Sequence, residues 1–262
     1  MKIVLFIILA LILSAVVFFL CGVISAAVLL LKRPIRSLYQ KRAAMPDFCT
    51  LEQVSDKFIE FLLLAEDDMF YKHNGISIPA LRTALRLYVK NRTIIIGGST
   101  ITQQLIKNLY FGFHPTAMRK LTEIIMALTI EKILSKQEII TFYINIIYYG
   151  CGNYGICRAS EYYFNKPAKE LDFSQSFLLT RILNGPTFQN PLMHPDVYRK
   201  FRDLRVANWK RRGIFSQKEA DMLLSYPPEK PDPELREPTD EPQKFVRAPW
   251  INERFGPETD FK

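Results

Sequence analysis

The amino-acid sequence predicts a mainly α-helical protein led by one transmembrane helix, and three observations carry that prediction. An uninterrupted uncharged stretch of 29 residues runs from Ile3 to Leu31. Helix-opening boxes recur at Thr50–Gln53, Ser135–Glu138, Asp172–Gln175 and Ser216–Glu219, each ahead of an apolar run with helical period. Convincing strands are few, residues 93–96 being the best short candidate. Composition sets the outer limits. With 48% hydrophobic and 23% charged residues, disorder across the whole of the 262-residue chain is excluded. Eleven glycines without a Gly-X-Y period exclude collagen, and four cysteines do not make a disulfide scaffold. The absence of HExxH and CxxC lowers the standing of zinc enzymes.

The first element is the apolar stretch. As a helix it reaches about 43 Å, more than a bilayer core requires. Only Lys2 precedes it, and its core is longer than that of a cleavable signal, so an uncleaved anchor over residues 1–31 is the better reading, although Ser25-Ala26-Ala27 resembles a cleavage site. Residues 32–49 read as a basic juxtamembrane linker. Lys32, Arg33, Arg36, Lys41 and Arg42 would place the rest of the chain in the cytoplasm by the positive-inside rule. Without Lys2, 34 of the 35 Lys and Arg face 26 Asp and Glu, a net charge of +8. That sign suits lipid head groups, phosphates or nucleic acid, and charge alone does not choose among them.

Helices then follow in order. One runs from the Thr50 box through Val54, Phe58, Phe61, Leu62 and Ala65 to about Glu66. A second opens at Ser77 and Pro79 and runs to about Lys90. After the Gly97-Gly98 break, Ser99 can cap a helix to about Tyr110. After His114-Pro115, Thr116 can start one to about Leu134. The Ser135 box starts another to about Ile147. Gly150, Gly152 and Gly155 mark a loop. The Asp172 helix ends at Asn184-Gly185-Pro186, Pro195 to Arg212 forms the next with Gly213 as its stop, and the Ser216 box begins a short last helix. The main domain is expected over residues 50–226, and residues 227–262 read as a Pro- and charge-rich extended tail.

Four groups of residues suit chemistry. Glu66-Asp67-Asp68 closes an apolar helix, where a carboxylate backed by Phe61, Leu64 and Phe70 suits a general base; the plain reading is a solvated acidic helix end. His73-Asn74-Gly75 offers a proton carrier, a metal ligand or a hydrogen-bonded structural histidine. In Gly97-Gly98-Ser99-Thr100-Ile101-Thr102-Gln103-Gln104-Leu105-Ile106-Lys107-Asn108, a glycine pair feeds a helix N-terminus, as anion sites do. Thr100, Gln103 or Gln104, and Lys107 share a polar face, while a plain amphipathic surface helix has the same pattern. Arg119-Lys120-x-x-Glu123 and Glu131 lie on one helix, where Arg119 and Glu123 also fit an ordinary i,i+4 surface pair.

Taken together and in this order, these segments resemble the glycosyltransferase family 51 domain, the peptidoglycan glycosyltransferase of penicillin-binding proteins. The stretch from Glu66 to Gly75 resembles its first motif. Gly97 to Asn108 matches the second nearly letter for letter, and Arg119-Lys120-x-x-Glu123 with Ala127 and Glu131 resembles the third. Ser135-Lys136-x-Glu138-Ile139-Ile140-x-x-Tyr143-x-Asn145-x-x-Tyr148-x-Gly150 resembles the fourth, continued by Asn153 to Ile156 and Tyr163-Phe164-x-Lys166. The similarity covers about residues 50–195. It implies a lysozyme-like helical domain with a small membrane-proximal lobe. It also implies a membrane-anchored enzyme that polymerises lipid II into glycan strands with inversion and release of undecaprenyl pyrophosphate.

The resemblance gives the residues their roles. Glu66 matches the family's base and Glu123 its second catalytic glutamate, which acts at the pyrophosphate, with Mg2+ or Mn2+ as the implied divalent cation and Glu123 as its ligand. Asp67, His73, Ser99, Thr100, Gln103, Gln104, Lys107, Asn108, Arg119 and Lys120 match substrate-binding positions. The partners implied are lipid II, the growing glycan chain, the membrane, and transpeptidases or other cell-wall synthesis proteins, with no nucleic acid. Residues 76–96 would belong to the cleft. There Arg82, Arg86, Lys90 and Arg92 would meet head groups, and Leu81, Leu85, Leu87 and Tyr88 would face lipid, unless they form a plain surface helix. With no Ser-x-x-Lys, Ser-x-Asn or Lys-[Ser/Thr]-Gly, the chain resembles a monofunctional member. Lipid II polymerisation requires the domain outside the bacterial cytoplasmic membrane, against the basic cluster, and the motifs outweigh that cluster.

The sequence departs from the family in four places. Pro115, preceded by His114, stands where a basic residue is common, and Arg181 stands where a small one is. Cys151 and Cys157 are unusual, and either bridge in an oxidising compartment or remain buried thiols. The tail from Phe245 to Trp250 resembles the family's C-terminal end only weakly. A lysozyme-like hydrolase and a catalytically degenerate scaffold are the alternative readings.

Overall fold

The computed structural model describes residues 2–91, 98–111 and 116–227, and among these every regular element is helical. In chain order the helices are α1 (Lys2–Lys32), α2 (Ile35–Ala43), α3 (Asp56–Glu66), α4 (Ile78–Asn91), α5 (Ile101–Tyr110), α6 (Ala117–Ile130), α7 (Lys136–Ile146), α8 (Ile156–Phe164), α9 (Phe173–Leu183), α10 (Pro195–Arg211) and α11 (Gln217–Ser225). Single 3-10 turns form at Leu51–Gln53, Phe70–Lys72 and Ala168–Glu170. β pairing among the described residues is confined to an isolated antiparallel bridge between Tyr148 and Tyr154. The strand candidate at 93–96, the His114-Pro115 break and the tail beyond Pro227 lie outside the described residues.

Four boundaries differ from the sequence reading. The Thr50 box does form, with Thr50 N–H donating to Gln53 Oε1 at 2.9 Å, but it closes only a 3-10 turn. The chain then extends at Val54, Ser55 N–H donates to the Ala168 carbonyl at 2.9 Å, and α3 starts at Asp56; a tertiary backbone bond wins over helical continuity. Thr100 rather than Ser99 caps α5, its Oγ1 accepting the Gln103 N–H at 3.2 Å. The helix opened by Thr116 stops at Ile130, and residues 131–134 tighten into turns. The expected linker contains α2, whose Ile35 and Leu38 are buried. In addition, α8 follows the glycine loop directly: Gly150, Gly152 and Gly155 all take positive φ, and Asn165 closes α8 in the left-handed region.

Contacts divide the chain into two compact units. One comprises the chain up to Arg42 together with Met69–Ile140; the other comprises Ala43–Asp68 and the chain from Thr141 onward. In the first unit α1 is long and apolar enough to cross a membrane and packs against α6. Gly22 makes that approach possible, since a Cβ there would stand 2.7 Å from Leu121 Cδ2 and 3.3 Å from Ile125 Cδ1. Ser14 Oγ returns its hydrogen to the Leu11 carbonyl at 2.8 Å, which satisfies a hydroxyl inside the apolar run. The juxtamembrane arginines also have partners within this unit. Arg33 Nη1 reaches the Leu109 carbonyl at 3.4 Å, and Arg36 binds Glu138 and the Ile133 carbonyl. On α4, Ile78, Leu81 and Val89 are exposed along with Arg82 and Arg86, whereas the side chains of Leu85, Leu87, Tyr88 and Lys90, and Arg92 as a whole, are outside the described set.

In the second unit the core gathers around Phe61 of α3, with Phe177 of α9, Val206 and Trp209 of α10, Phe215, and Leu223 of α11. Phe61 meets Phe177 and Phe215 edge to face at 5.8 and 5.7 Å, the geometry aromatic quadrupoles prefer. A second anchor is Asn145, which is fully buried. Its Oδ1 accepts the Cys49 N–H and its Nδ2 donates to the Cys49 and Thr141 carbonyls, each at 2.8 Å. Cys49, so held, forms a disulfide with Cys157 of α8, with Cα atoms 6.2 Å apart. Cys157 therefore bridges to Cys49 and not to Cys151, which carries a free thiol. Spacing along the chain suggested the nearer cysteine, but the clamp of Asn145 delivers the distant one.

Closing a loop of 108 residues, the disulfide is expected to stabilise the protein by about 2–4 kcal/mol. Thiol titration of the denatured, unreduced protein should then find two free cysteines instead of four, and Cys157→Ser should lower the melting temperature under non-reducing conditions only. Equal melting of wild type and variant without reductant would show that the bond contributes nothing.

Candidate active site

The residues singled out by the sequence fall into two clusters, one in each unit. In the first unit, α5 and α6 supply the polar side chains. Thr100 sits at the N-cap of α5; its N–H donates to Gln103 Oε1 at 3.0 Å, and its Oγ1 donates to the Gly75 carbonyl at 2.6 Å. This network ties the His73-Asn74-Gly75 loop to α5. Gly75 itself has φ +89°, and a Cβ on it would stand 2.6 Å from the Ala127 carbonyl oxygen, so only glycine lets the loop lie on α6. Thr100 and Gln103 are buried, and their side-chain oxygens serve the cap. On the sequence alone they belonged to a polar binding face; the structure spends them on holding the helix. Asn108 Nδ2 donates back to the Gln104 carbonyl at 2.9 Å, and Gln104, Lys107 and Asn108 are half-buried along α5. His73 stacks edge to face against the buried ring of Phe70, centroids 6.2 Å apart.

Glu123 points inward from α6 and is almost fully buried. Its partner is Lys120, one turn earlier on the same helix, and Lys120 Nζ also donates to Ser99 Oγ at 3.1 Å. The i,i+4 pairing with Arg119 is thus replaced by an i,i+3 pairing with Lys120, and Arg119 is half-buried beside it. Two turns on, Glu131 accepts from Thr102 Oγ1 at 2.5 Å and from Lys136 Nζ at 2.8 Å, and that ammonium lies 4.3 Å from the Phe70 ring centre. Both carboxylates are therefore neutralised by lysine within hydrogen-bond distance.

In the second unit Glu66 is the last residue of α3, half-buried, and Asp67 follows as a buried C-cap whose N–H returns to the Leu63 carbonyl at 2.9 Å. Asn184, at the C-cap of α9, donates from Nδ2 to Glu66 Oε1 at 2.8 Å. Arg181, one turn earlier on α9, is buried; burial and the repulsion of Arg205 push its guanidinium down to about 10, while Tyr198 and Glu66 pull the other way. Arg205 of α10 is lowered for the same first reason, with Glu66 opposing. Burial, then the charge of Glu66, raises the Tyr143 phenol well above its usual value. Asp68 pairs with Arg212 at 3.6 Å. The sequence reading took Asn184 for a helix stop and Arg181 for a departure from pattern; neither was connected to Glu66, because that contact spans 118 residues.

No group of three or more His, Cys, Asp and Glu side chains is arranged to hold a metal ion among the described residues. At Glu123 the carboxylate already faces an ammonium. One carboxylate supplies at most two of the six or so oxygens that a hard divalent cation takes. The donor set does not fit Mg2+ or Mn2+ held by the protein alone.

The family model described as Transglycosylase matches residues 32–210. Among curated proteins the chain is similar to Penicillin-binding protein 1F of Bacillus subtilis, 36% identical over 171 residues, 65% of this chain and 24% of that protein. It is similar to Penicillin-binding protein 1A of Pseudomonas aeruginosa, 34% identical over 174 residues, 66% of this chain and 21% of that one. It is also similar to the Biosynthetic peptidoglycan transglycosylase of Nitrosomonas eutropha, 39% identical over 137 residues, 52% of this chain and 56% of the relative. The match thus spans about a quarter of the length of the penicillin-binding proteins and about half of the shorter relative.

Replacing Lys120 by Met strands the buried carboxylate of Glu123. Because the Lys120 side chain is 40% exposed, the loss is expected at about 1–3 kcal/mol, below that for a fully buried pair. The double variant Lys120→Met/Glu123→Gln should regain part of it in thermal denaturation. A double variant no more stable than the single one would mean that the pair is not the source of the cost.

Proposed function

This chain belongs to the transglycosylase family, and on that premise we propose that it is a membrane-anchored peptidoglycan glycosyltransferase acting on lipid II. In this reading the 4-hydroxyl of the acceptor N-acetylglucosamine attacks C1 of the donor N-acetylmuramic acid. Configuration inverts, and undecaprenyl pyrophosphate leaves.

The observation that carries the reading is the placement of Glu66. A general base must be held within hydrogen-bond reach of the hydroxyl it deprotonates, on a support that does not drift. Glu66 ends a helix rooted in the aromatic core through Phe61, and one of its oxygens is fixed by Asn184. It takes the hydroxyl proton as the C–O bond forms, so that no free alkoxide develops. The departing pyrophosphate gathers negative charge and needs donors already in place. Ser99, Lys107, Arg119 and Lys120 supply these, with Glu123 setting the position of Lys120. Thr100 and Gln103 contribute by fixing the helix that presents Lys107. A divalent cation, where one takes part, would be completed by phosphate oxygens of the substrate.

The anchor is α1, and we place the catalytic residues on the outer side of the bacterial cytoplasmic membrane. The Cys49–Cys157 disulfide supports that side, since such bonds persist in oxidising compartments. The exposed Ile78, Leu81 and Val89 of α4, interleaved with Arg82 and Arg86, suit a bilayer surface with its head groups. Transpeptidases and other cell-wall synthesis proteins are the protein partners that suit this activity, since they would act on the strands it makes.

The full-length protein in detergent or liposomes, given labelled lipid II, is expected to form glycan chains, and Glu66→Gln to form none, a loss of at least about 100-fold. Chains from both would remove Glu66 as the base. Shortening of added glycan, instead of growth, would favour a lysozyme-like hydrolase. Inactivity of both folded proteins would favour a scaffold.

A further inference from the structure

Glu66 is tied into a chain of polar contacts that leads to a buried cation. Asn184 Nδ2 donates to Glu66 Oε1 at 2.8 Å, Gln189 Nε2 donates to the Asn184 carbonyl at 3.4 Å, and Arg181 Nη2 donates to Gln189 Oε1. Arg181 and Asn184 are a turn apart at the end of α9, with the Asn184 N–H on the Arg181 carbonyl at 3.2 Å, so both present toward the same side. Arg181 is 4% exposed, and among the described residues it forms no ion pair and its Nε and Nη1 have no hydrogen-bond partner. A guanidinium removed from water in that state requires a counter-charge through space. Tyr198 and then the Glu66 carboxylate favour its charged form, and Glu66 also favours that of Arg205, which lies over the Trp209 ring at 5.5 Å.

We propose that Arg181 is a positioning residue for Glu66: together with Arg205 it supplies the fixed positive charge that, through Gln189 and Asn184, holds the carboxylate in its reactive pose. The inference rests on the reading of Glu66 as the base. Among the described residues the charge of Glu66 acts on Tyr143 from α7, Arg181 from α9 and Arg205 from α10, and Asp67 and Asp68 follow it at its own helix end. Arg212, at the end of α10, pairs with Asp68 at 3.6 Å. Arg181 also sits in the last turn of α9, where the helix carbonyls favour positive charge. A neutral side chain of equal length would fill the same space but leave the Glu66–Asn184 contact without its electrostatic backing.

The test compares Arg181→Met, which keeps the shape, with Arg181→Lys, which keeps the charge, in lipid II polymerisation by the full-length protein. Arg181→Met is expected to lose about 10- to 100-fold in kcat with KM unchanged, the scale of a small misplacement of a catalytic group. Arg181→Lys should recover most of it. Melting temperatures of wild type, Arg181→Met, Glu66→Gln and the double variant form a cycle. The penalty of Glu66→Gln should be smaller in the Met background, because the stranded cation is gone. Where Arg181→Met does not fold, Arg205→Met at the less buried partner carries the same expectation. Full kcat in a folded Met variant, equal loss in Met and Lys, or additive melting shifts would overturn the proposal while leaving Glu66 as the base. Full activity of Glu66→Gln would instead overturn the reading of the base itself.

Discussion

A carboxylate taken out of water must meet a cation or several hydrogen-bond donors, and this requirement organises both units. Glu123 of α6 and Glu131 at its C-cap stand eight residues apart, about two turns, and so share one face of that helix. Each has its own lysine, Lys120 for the first and Lys136 for the second, and Thr102 of α5 adds a hydroxyl to Glu131. Between the two, the Ala127 carbonyl meets Gly75 so closely that no side chain fits. The α5 cap and the histidine loop are thereby fixed to the same face. Were α6 displaced, the pairings of both carboxylates and the seat of the loop would fail together.

The opposite side of α6 answers a different demand. Leu121 and Ile125, one turn apart, pack on Gly22 of α1, so a single helix presents apolar side chains to the anchor and charged ones to the cluster at Ser99. That arrangement suits a substrate whose lipid tail lies in the bilayer and whose charged head does not. It also bears on the basic residues after the anchor. Arg33 and Arg36 bind Leu109, Ile133 and Glu138 in the folded protein. Their presence therefore has a structural cause independent of topology, which weakens the positive-inside argument where it conflicts with the disulfide.

Local signals were legible and distant ones were not. The boxes at Ser135, Asp172 and Ser216 open the predicted helices, because a cap is settled by residues three apart. The apolar anchor was legible from length alone. The Thr50 box failed as a helix start because the bond from Ser55 to Ala168 lies 113 residues away in sequence, and nothing local announces it. The same limit hid the Asn145 clamp on Cys49, and with it the identity of the disulfide, as well as the Asn184 contact to Glu66. The motif residues stood out in the sequence as a set, but their division into those that hold the fold and those with polar atoms left for a ligand required coordinates.

That division can be argued atom by atom. Gln103 is 4% exposed, its oxygen is spent on the Thr100 N–H, and its backbone N–H is spent on the Thr100 hydroxyl. A ligand reaching it would first have to undo the cap of α5, which costs about 1 kcal/mol and exposes further donors. Lys120 is different. An ammonium has three N–H bonds; two go to Ser99 and Glu123, and the side chain remains 40% exposed. A phosphate oxygen arriving at the third would meet a lysine already oriented by its first two partners, with no protein contact to break. The buried Glu123 beneath it acts on this geometry by holding Lys120 in place. In the proposed reading the half-exposed ammonium above is the group that would meet the phosphate.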